Sequence, residues 1–267
     1  MGVTENRLVP GSSSGIGRES AILFAKNGWQ VVVTGRNAQN LNETVKECVQ
    51  AGAKESDVAI VLGDITSLSV AEQLVKTATD KFGRLDCLNN MRIRHFVQVN
   101  NAGFGVPKAP FATAPIENYD KVFETNVRSV IQLTKLAIPH LIASKGNIVN
   151  ISSVAALVSL PTSGYYSMSK AALDQFTKIL SLEMAPHGVR VNSVNPAMIE
   201  TNFFSAMGLT QDEYKAYLEN AKKVHALGRP GRPDEVAKAI FWLAGPDSTF
   251  TTGETLKVDG GFVLVRP

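Results

Sequence analysis

A glycine-rich turn near the start of the chain reads Pro10-Gly11-Ser12-Ser13-Ser14-Gly15-Ile16-Gly17-Arg18, and a helical pattern begins within it. Its glycines allow a tight turn and a close approach of the backbone to a ligand. The unpaired N–H groups at the start of the helix can bind an anion such as a pyrophosphate. An ordinary Gly/Ser turn would also contain these residues, but the apolar run Val31-Val32-Val33 follows the helix, as in a dinucleotide-binding unit. The segment therefore predicts a phosphate-binding loop.

The same alternation of short apolar strands and helical segments continues along the chain. We predict strands at Val31–Val33, Val58–Val61, Asn147–Ile151, Arg190–Val194 and Thr255–Val258, and helices over about residues 15–27, 40–51, 69–82, 117–144, 165–186 and 233–244. Alternating strands and helices indicate a parallel sheet. Nearly continuous apolar strands indicate that both faces of this sheet are buried. The predicted fold class is α/β, a three-layer, doubly wound Rossmann-type fold, in a single domain over residues 1–267.

The composition limits the classes of function. The chain has 267 residues, 44% of them hydrophobic and 19% charged, which is typical of a globular protein. Its formal net charge is only +3, and no dense run of lysine and arginine suggests nucleic-acid binding. No segment approaches the roughly 18 apolar residues of a membrane span. Two cysteines indicate no disulfide framework, and four scattered histidines indicate no metal site. We therefore expect a cytoplasmic protein without nucleic-acid or membrane partners.

The end of the second predicted strand bears on the choice of dinucleotide. It reads Thr34-Gly35-Arg36-Asn37 and lacks the carboxylate that usually holds the ribose 2′-hydroxyl of NAD. Arg36 can instead form forked hydrogen bonds with the 2′-phosphate of NADP. A solvated surface arginine is the alternative explanation. We predict that NADP(H) is favoured over NAD(H).

A second group of polar residues lies in the C-terminal half of the chain. Tyr166 and Lys170 are four residues apart in a helical pattern, so they share one face of the helix. A free phenol titrates near pH 10, and a nearby ammonium lowers that pKa, which would suit Tyr166 to general acid/base chemistry. Ser153 follows the predicted strand Asn147–Ile151, and the bend at Pro161 could bring its hydroxyl to Tyr166. Each residue alone also has an ordinary structural explanation.

Seven motifs occur along the chain in a fixed order. They are Gly11-Ser12-Ser13-Ser14-Gly15-Ile16-Gly17, Asn100-Asn101-Ala102-Gly103, Asn126, Ser153, Tyr166-Ser167-Met168-Ser169-Lys170, Asn195-Pro196-Ala197-Met198-Ile199-Glu200-Thr201 and Val258-Asp259-Gly260-Gly261. In this order the chain resembles the short-chain dehydrogenase/reductase family nearly from end to end. The resemblance implies a mostly parallel seven-stranded sheet and a homotetramer or homodimer built through the helices near 117–144 and 165–186. It also implies hydride transfer between a nicotinamide and a small-molecule carbonyl or alcohol.

The resemblance implies roles for individual residues. Tyr166 would donate the proton, Lys170 would hold the nicotinamide ribose and lower the pKa of the phenol, and Ser153 would hydrogen-bond the substrate oxygen. Asn126 would anchor a water in the proton relay and completes the expected catalytic set. Asp64 would bond the adenine amino group. The expected cofactor-binding residues are Gly11, Ser13, Ser14, Gly15, Ile16, Gly17, Arg36, Asn37, Asp64, Ile65, Asn101, Ala102, Gly103, Tyr166, Lys170, Pro196, Ala197, Ile199 and Thr201.

The first strand departs from the family's pattern. Only Leu8 and Val9 are apolar there, and Pro10 cannot donate to a β-ladder. We expect the polar residues 5–7 to lie outside the sheet core. Ala197 stands where the family usually has glycine, so a left-handed backbone at that position would be strained.

The fourth strand departs further. Residues 89–98 resemble an insertion, because their removal would join Leu88 directly to Val99 as in the family. A central strand cannot bury their three basic side chains without partners, so we expect this segment to loop out. Either Cys87-Leu88 or Phe96–Val99 would then supply the strand.

Residues 198–226 break the alternation, and we expect a substrate lid near them. Their apolar side chains Phe203, Phe204 and Met207 either line a pocket for an apolar substrate or serve as ordinary packing. The sequence thus predicts an NADP(H)-dependent oxidoreductase that interconverts a carbonyl and an alcohol, with Tyr166 as general acid/base. The alternatives are an NADP-binding protein of the same fold with little or no turnover, and another reaction such as epimerisation or dehydration.

Overall fold

The computed structural model of the protein describes residues 6–82, 96–201 and 210–265. Its strands are β1 (Asn6–Pro10), β2 (Gln30–Gly35), β3 (Val58–Leu62), β4 (Phe96–Asn100), β5 (Asn147–Ile151), β6 (Arg190–Pro196) and β7 (Thr255–Val258). They form one sheet in the order β3-β2-β1-β4-β5-β6-β7, and every neighbouring pair is parallel. The predicted α/β fold of Rossmann type with a seven-stranded sheet is confirmed.

Helices cover both faces of this sheet. They are α1 (Gly15–Lys26), α2 (Ala38–Gln50), α3 (Leu68–Phe82), α4 (Ile116–Phe123), α5 (Ser129–Ser144), α6 (Gly164–Met184), α7 (Gln211–Val224), α8 (Pro233–Ala244) and α9 (Phe262–Val265). The helix predicted over 117–144 is interrupted, because a π-helical turn at Glu124–Arg128 separates α4 from α5. Such turns occur frequently at functional sites.

Two apolar layers hold the helices to the sheet. On one side, α1, α2 and α8 pack on the strands, and Val9 is buried there with Phe24 and Ile240. On the other side lie α3, α5 and α6, and Leu8 is buried there with Leu74. Successive residues of β1 thus point into opposite layers, as the twofold repeat of a strand requires. Both faces of the sheet are covered, which fixes its strand ends as the place for a ligand.

The prediction that residues 5–7 lie outside the sheet core is wrong for Arg7. Its side chain is fully buried in β1, and its guanidinium carbon lies 3.2 Å from the ring centroid of Trp29 and 5.7 Å from that of Phe24. An aromatic face attracts a cation, and this attraction offsets part of the cost of burying the charge. Aromatic partners thus allow a polar residue within a central strand.

Pro10 is accommodated at the end of β1, which lies between β2 and β4. The residues after it continue the pairing with β2: the Ser12 amide donates to the Thr34 carbonyl at 3.0 Å, and the Thr34 amide donates to Ser12 Oγ at 3.1 Å. Ser12 thus pairs with both the N–H and the C=O of Thr34, so the missing N–H of Pro10 leaves no backbone group of Thr34 without a partner.

The fourth strand is formed by Phe96–Asn100, and all five of its residues are buried. Of the two predicted candidates, the structure therefore selects the second. The last three residues of the predicted insertion, Phe96, Val97 and Gln98, belong to β4. Any part of the insertion that loops out therefore ends before Phe96. Cys87, Leu88 and the remainder of the predicted insertion lie outside the described residues.

The predicted lid is described in part. Phe203, Phe204 and Met207 lie outside the described residues, whereas α7 follows from Thr210 onwards. Thr210 and Glu213 form a reciprocal capping box at the start of α7. Within residues 6–82, 96–201 and 210–265, no helix is long and apolar enough to cross a membrane.

Candidate active site

A cavity of about 670 Å³ opens at the carboxyl ends of the strands. Its position is the point where the strand order reverses, between β1 and β4, which is where doubly wound sheets bind ligands. The predicted site residues that line it are Gly11, Ser13, Ser14, Gly15, Ile16, Arg36, Asp64, Ile65, Asn101, Ala102, Gly103, Ser153, Tyr166, Lys170, Pro196, Ala197, Ile199 and Thr201. Gly17, Asn37 and Asn126 are not among the described residues that line it.

The glycine-rich turn lies at one end of the cavity. Gly11 has a φ of +72°, a conformation that L side chains rarely adopt. The Asn101 side chain holds the turn in place by donating from Nδ2 to the Gly11 carbonyl at 3.0 Å. Ser14 precedes α1, and its side chain forms no capping hydrogen bond within the described part of the chain. The first N–H groups of α1 are therefore open to an anion, so this end suits a pyrophosphate.

Gly17 acts behind the turn rather than in the cavity. A Cβ atom there would lie 2.4 Å from Asn101 Nδ2 and 2.4 Å from the Gly11 carbonyl oxygen. Real Cβ atoms do not approach other atoms so closely, and one of these is backbone. The absence of a side chain at this position allows α1 to pack directly against the turn.

Arg36 and Asp64 lie at the far end of the cavity, after β2 and β3. Asp64 Oδ1 accepts hydrogen bonds from the Thr66 amide at 3.0 Å and the Thr66 hydroxyl at 2.8 Å. Burial raises the pKa of Asp64, but the bonds from Thr66 and the charge of Arg36 outweigh it, so the pKa lies below its usual value. Asn37 lies outside this group and accepts a hydrogen bond from the Asn40 amide at the start of α2.

Ser153 and Tyr166 meet inside the cavity. Ser153 follows β5, Tyr166 lies in the first turn of α6, and a side-chain hydrogen bond joins them. Burial raises the pKa of Tyr166 to about 12, and the bond to Ser153 offsets only part of that increase. At neutral pH the phenol therefore carries its proton and can donate it to an acceptor placed beside Ser153.

Lys170 lies one turn after Tyr166 on α6. It is buried, and its Nζ donates to the Ile151 carbonyl at 2.7 Å. Nζ is 5.7 Å from the ring centroid of Tyr166. Burial lowers the pKa of Lys170 to about 8, although the charge of Asp174 raises it. The expected depression of the Tyr166 pKa by Lys170 does not occur in this structure, because burial of the phenol dominates.

Asn126 lies in the π-helical turn between α4 and α5, behind the wall of the cavity. Its Oδ1 accepts from the Phe104 amide at 2.7 Å, and its Nδ2 donates to the Phe104 carbonyl at 3.0 Å and to Ser169 Oγ at 3.0 Å. These bonds connect the π-helical turn to the loop after β4 and to α6. The Asn126 side chain thus fixes the wall beside Lys170, and its expected role in holding a water stays a prediction.

The loop after β6 forms the remaining wall of the predicted cofactor site. Pro196, Ala197, Ile199 and Thr201 all line the cavity there. The described residues other than glycine that have a positive φ are Lys145 and Thr162. Ala197 does not have a positive φ, so the condition under which strain was expected at this position is not met.

The outer part of the cavity is formed by residues that the sequence did not single out individually, although Met198, Tyr217 and Asn220 lie in the segment 198–226 that was predicted as a substrate lid. They are chiefly apolar or aromatic: Phe104, Val106, Phe111, Val154, Leu160, Tyr165, Met198, Tyr217 and Phe262, with the polar Asn118, Thr162 and Asn220 among them. They come from the loops after β4, β5 and β6 and from α4, α6, α7 and α9, and apart from Met198 no local motif marks them. Only their tertiary placement brings them to the site.

The fold and the glycine-rich turn define a dinucleotide-binding protein of Rossmann type. The family model described as enoyl-(acyl carrier protein) reductase matches residues 11–263. Among curated proteins, the 3-oxoacyl-[acyl-carrier-protein] reductase FabG of Thermotoga maritima is 32% identical over 258 residues, covering 96% of this chain and 97% of that protein. The chain belongs to the short-chain dehydrogenase/reductase family.

Solved structures agree with this assignment. A short-chain dehydrogenase/reductase of unknown function from Caenorhabditis elegans, solved with cofactor, has a TM-score of 0.91 and 36% identity, covering 99% of this chain and 97% of that one. The protein ElxO with NADP bound has a TM-score of 0.84 and 28% identity, covering 98% and 99%. The chain is an oxidoreductase of this family that acts on CH–OH or C=O groups of small molecules with a nicotinamide cofactor.

Proposed function

We propose that this protein is an NADP(H)-dependent carbonyl reductase or alcohol dehydrogenase in which Tyr166 exchanges a proton with the substrate oxygen. The observation that carries this proposal is the hydrogen bond between Ser153 and the protonated phenol of Tyr166 inside the cavity. Two hydroxyl groups that converge on one point can both contact a single oxygen atom. That arrangement suits a carbonyl that becomes an alcohol.

The proposed cofactor would extend along the cavity from Arg36 to Thr201. The open N–H groups of α1 fit its pyrophosphate, and the guanidinium of Arg36 fits a 2′-phosphate. Lys170 Nζ, which faces Gly103, fits the hydroxyls of the nicotinamide ribose. A bound nicotinamide would supply or accept the hydride.

The residues of this chain would control the proton and the orientation of the substrate. Ser153 would donate a hydrogen bond to the substrate oxygen, and Tyr166 would donate its proton to the same oxygen during reduction. In the reverse direction, Tyr166 would accept the proton from the alcohol. Lys170, one turn after Tyr166 on α6, would partly offset the cost of negative charge that develops on the Tyr166 oxygen during proton transfer, an effect smaller than that of burial on the resting phenol.

The wall of the cavity supports an apolar substrate. Phe111, Leu160, Met198 and Phe262 lie where the part of the substrate beyond the carbonyl would extend. Binding pockets lined in this way gain affinity by removing apolar surface from water, and a few polar groups fix the orientation. Tyr217 is one such polar group at this end of the cavity.

We also propose that the active form is a homotetramer or homodimer of one-domain chains in the cytoplasm. Apolar side chains on α6 support the assembly: Met168, Ile179 and Leu182 are exposed in the single chain, Leu182 to 78%. A second copy would remove them from water. Sedimentation analysis of the full chain tests this, and a monomer at micromolar concentration would contradict it.

Titration of the full chain with NADPH and NADH, followed by fluorescence, is the first test of the proposed function. We expect micromolar binding that favours NADPH, and then consumption of NADPH with a panel of apolar ketones and diketones. Binding without turnover of any carbonyl would favour the NADP-binding alternative. A changed substrate with no net consumption of NADPH would indicate epimerisation or dehydration instead.

A further inference from the structure

Asp174 is a buried carboxylate close to the proposed active site but outside the cavity. It lies on α6, one helical turn after Lys170, and its residue is 5% exposed. Residues four positions apart on a helix face the same side, and the charge of Asp174 acts on Lys170 without a direct ion pair among the contacts of the described residues. A buried charge is costly unless other groups compensate it, and its retention at such a position requires a physical reason.

Hydrogen-bond donors surround this carboxylate. Asn195 Nδ2 donates to Asp174 Oδ2 at 2.7 Å, and Ser193 Oγ donates to Asp174 Oδ1 at 3.2 Å. Ser152 also hydrogen-bonds to it through its side chain. Burial raises the pKa of Asp174, and these bonds and the charge of Lys178 oppose that increase. Burial remains the larger effect, so the pKa of Asp174 lies above its usual value, and the donors on β5 and β6 are the partners that its ionised form requires.

The same contacts reach the backbone of the proposed active site. Asn195 Nδ2 also donates to the Ser153 carbonyl at 3.1 Å, and Ser152 Oγ lies 3.1 Å from the Lys170 carbonyl, so its single proton goes either to that carbonyl or to Asp174. One carboxylate thus ties together the end of β5, the end of β6 and α6. These are the three elements that carry Ser153, the loop after Asn195, and Lys170.

Asp174 carries the negative charge that acts on the buried ammonium of Lys170. Asp174 is the charged group that raises the pKa of Lys170 against the effect of burial. Lys178, on the same helix, is the charged group that acts on Asp174 from the other side. The strands packed against this carboxylate contribute the uncharged Ser152, Ser193 and Asn195.

We infer that Asp174 is a positioning residue for the reaction, because its carboxylate keeps Lys170 as an ammonium and holds the Ser153 backbone through Asn195. This inference rests on the proposed function, in which Lys170 and Ser153 contact cofactor and substrate. Asp174 itself touches neither. Its effect is therefore expected in the protonation of Lys170 rather than in the chemistry of the substrate.

The first experiment measures kcat/KM for NADPH-dependent reduction of a diketone from pH 6 to pH 10. This quantity reports pKa values of the free enzyme. The wild-type rate should fall as pH rises through about 8, where Lys170 loses its proton. In Asp174→Asn the pH at which kcat/KM falls should move down by about one unit, since removal of a nearby opposite charge lowers the pKa of an ammonium by roughly that amount. No change in that pH would overturn the inference.

Two further variants separate charge from structure. Asp174→Glu keeps the charge, so the pH at which kcat/KM falls should lie within about half a unit of the wild-type value. Ser193→Ala removes one hydrogen bond to the same carboxylate but no charge. The pH at which kcat/KM falls should therefore be the same in this variant as in the wild type. If Ser193→Ala shifts that pH as far as Asp174→Asn, the effect is a general loosening of the site and the inference is wrong.

A second experiment requires no turnover and therefore stands even if the proposed function fails. It follows urea unfolding of the cofactor-free chain against pH, with and without Lys170→Met. The folded pKa of Lys170 is about 8 and its ordinary value is 10.5, so the unfolded chain binds more protons between these pH values. Stability due to Lys170 therefore rises with pH through that window.

In the Asp174→Asn variant, the rise of stability with pH that is due to Lys170 should begin about one pH unit lower. Adding Lys170→Met to this variant should raise the urea midpoint at pH 7 by more than adding it to the wild type does. Equal gains in both backgrounds would overturn the inference. If Asp174→Asn alone does not fold, the folding of the double variant Asp174→Asn/Lys170→Met is measured instead. Recovery of folding supports an unpaired ammonium as the cause, and failure to recover contradicts it.

Discussion

Arg36 and Asp64 face each other at the mouth of the cavity, where Arg36 Nη1 lies 3.6 Å from Asp64 Oδ2. The side chains are exposed to 76% and 46%, so water screens their attraction. Exposed pairs of this kind contribute at most about 1 kcal/mol to stability. The guanidinium can therefore turn from the carboxylate to a 2′-phosphate at little cost, because a doubly charged phosphate is the stronger partner.

Arg36→Ala should reduce the preference for NADPH over NADH. One charge-assisted contact contributes roughly 1.5–3 kcal/mol, which corresponds to about a ten- to hundredfold loss in the ratio of the two affinities. Fluorescence titration with both cofactors measures that ratio. Arg128→Ala is the matched control, because it removes an exposed arginine paired with Glu124 on a helix. An unchanged ratio in Arg36→Ala would place the 2′-phosphate at another group, such as Ser13 or Asn37.

Tyr166→Phe should abolish turnover while NADPH binding stays within about threefold of the wild type. The ring and its packing remain, but the proton that the buried phenol carries at neutral pH is lost. Stopped-flow assays of NADPH oxidation give the rate, and fluorescence gives the affinity. Tyr119→Phe is the control, since that phenol packs on Phe123 and Tyr165 outside the cavity lining. Survival of a tenth or more of the activity would contradict the acid/base role.

The sequence predicts most of the sheet and the inner half of the site, because both depend on local patterns. Apolar runs mark the strands, and short motifs mark the glycine-rich turn and the pair Tyr166 and Lys170. Those motifs lie at strand ends and helix starts, so the topology alone brings them together. The π-helical turn at Asn126 has no such signal, and the hydrogen bonds that Asn126 forms there with Phe104 and Ser169 are tertiary contacts.

The sequence does not predict the burial of Arg7 or the outer wall of the cavity. Arg7 is buried against the ring face of Trp29, which immediately precedes β2, and no periodicity in the sequence shows that pairing. Similarly, Tyr217 and Phe262 reach the cavity only once α7 and α9 are placed. The pKa of Tyr166 was predicted in the wrong direction, because the sequence shows the neighbouring ammonium but not the burial of the phenol.

Arg7→Ala should lower the free energy of unfolding by about 2–4 kcal/mol. The substitution empties a fully buried site and removes the contact with the Trp29 ring. Urea unfolding at pH 7 measures the loss. Lys76→Ala, which breaks an exposed pair with Asp80, is the control and should change stability by less than about 0.5 kcal/mol. A similar decrease in the free energy of unfolding for Arg7→Ala and Lys76→Ala would show that the contact between Arg7 and the Trp29 ring does not stabilise the fold.

Gly17→Ala should weaken cofactor binding at least about tenfold and destabilise the fold by about 1–3 kcal/mol. The added methyl group would lie 2.4 Å from both Asn101 Nδ2 and the Gly11 carbonyl, so α1 must move away from the turn. Titration with NADPH and thermal unfolding measure the two effects. Lys26→Ala, at the last turn of the same helix, is the control. Wild-type affinity in Gly17→Ala would show that close packing of α1 is not needed for the anion site.

Tyr217→Phe should separate two classes of substrate. The Tyr217 ring packs beside Met198 and Phe262. Burial raises the pKa of Tyr217 above its usual value, and the nearby phenol of Tyr166 raises it further. Removal of this hydroxyl should raise KM about tenfold for ketones with a second oxygen near the carbonyl, since one hydrogen bond contributes about 1 kcal/mol or slightly more.

For ketones without a second oxygen, KM should stay within about twofold in Tyr217→Phe, because the apolar contacts of the ring are retained. Steady-state kinetics on a matched pair, one ketone with and one without a hydroxyl beside the carbonyl, measures the difference. Tyr214→Phe is the control, as its ring stacks on Tyr217 at a centroid distance of 6.4 Å but does not line the cavity. Equal effects of Tyr217→Phe on both ketones would mean that this phenol shapes the pocket without recognising a polar group.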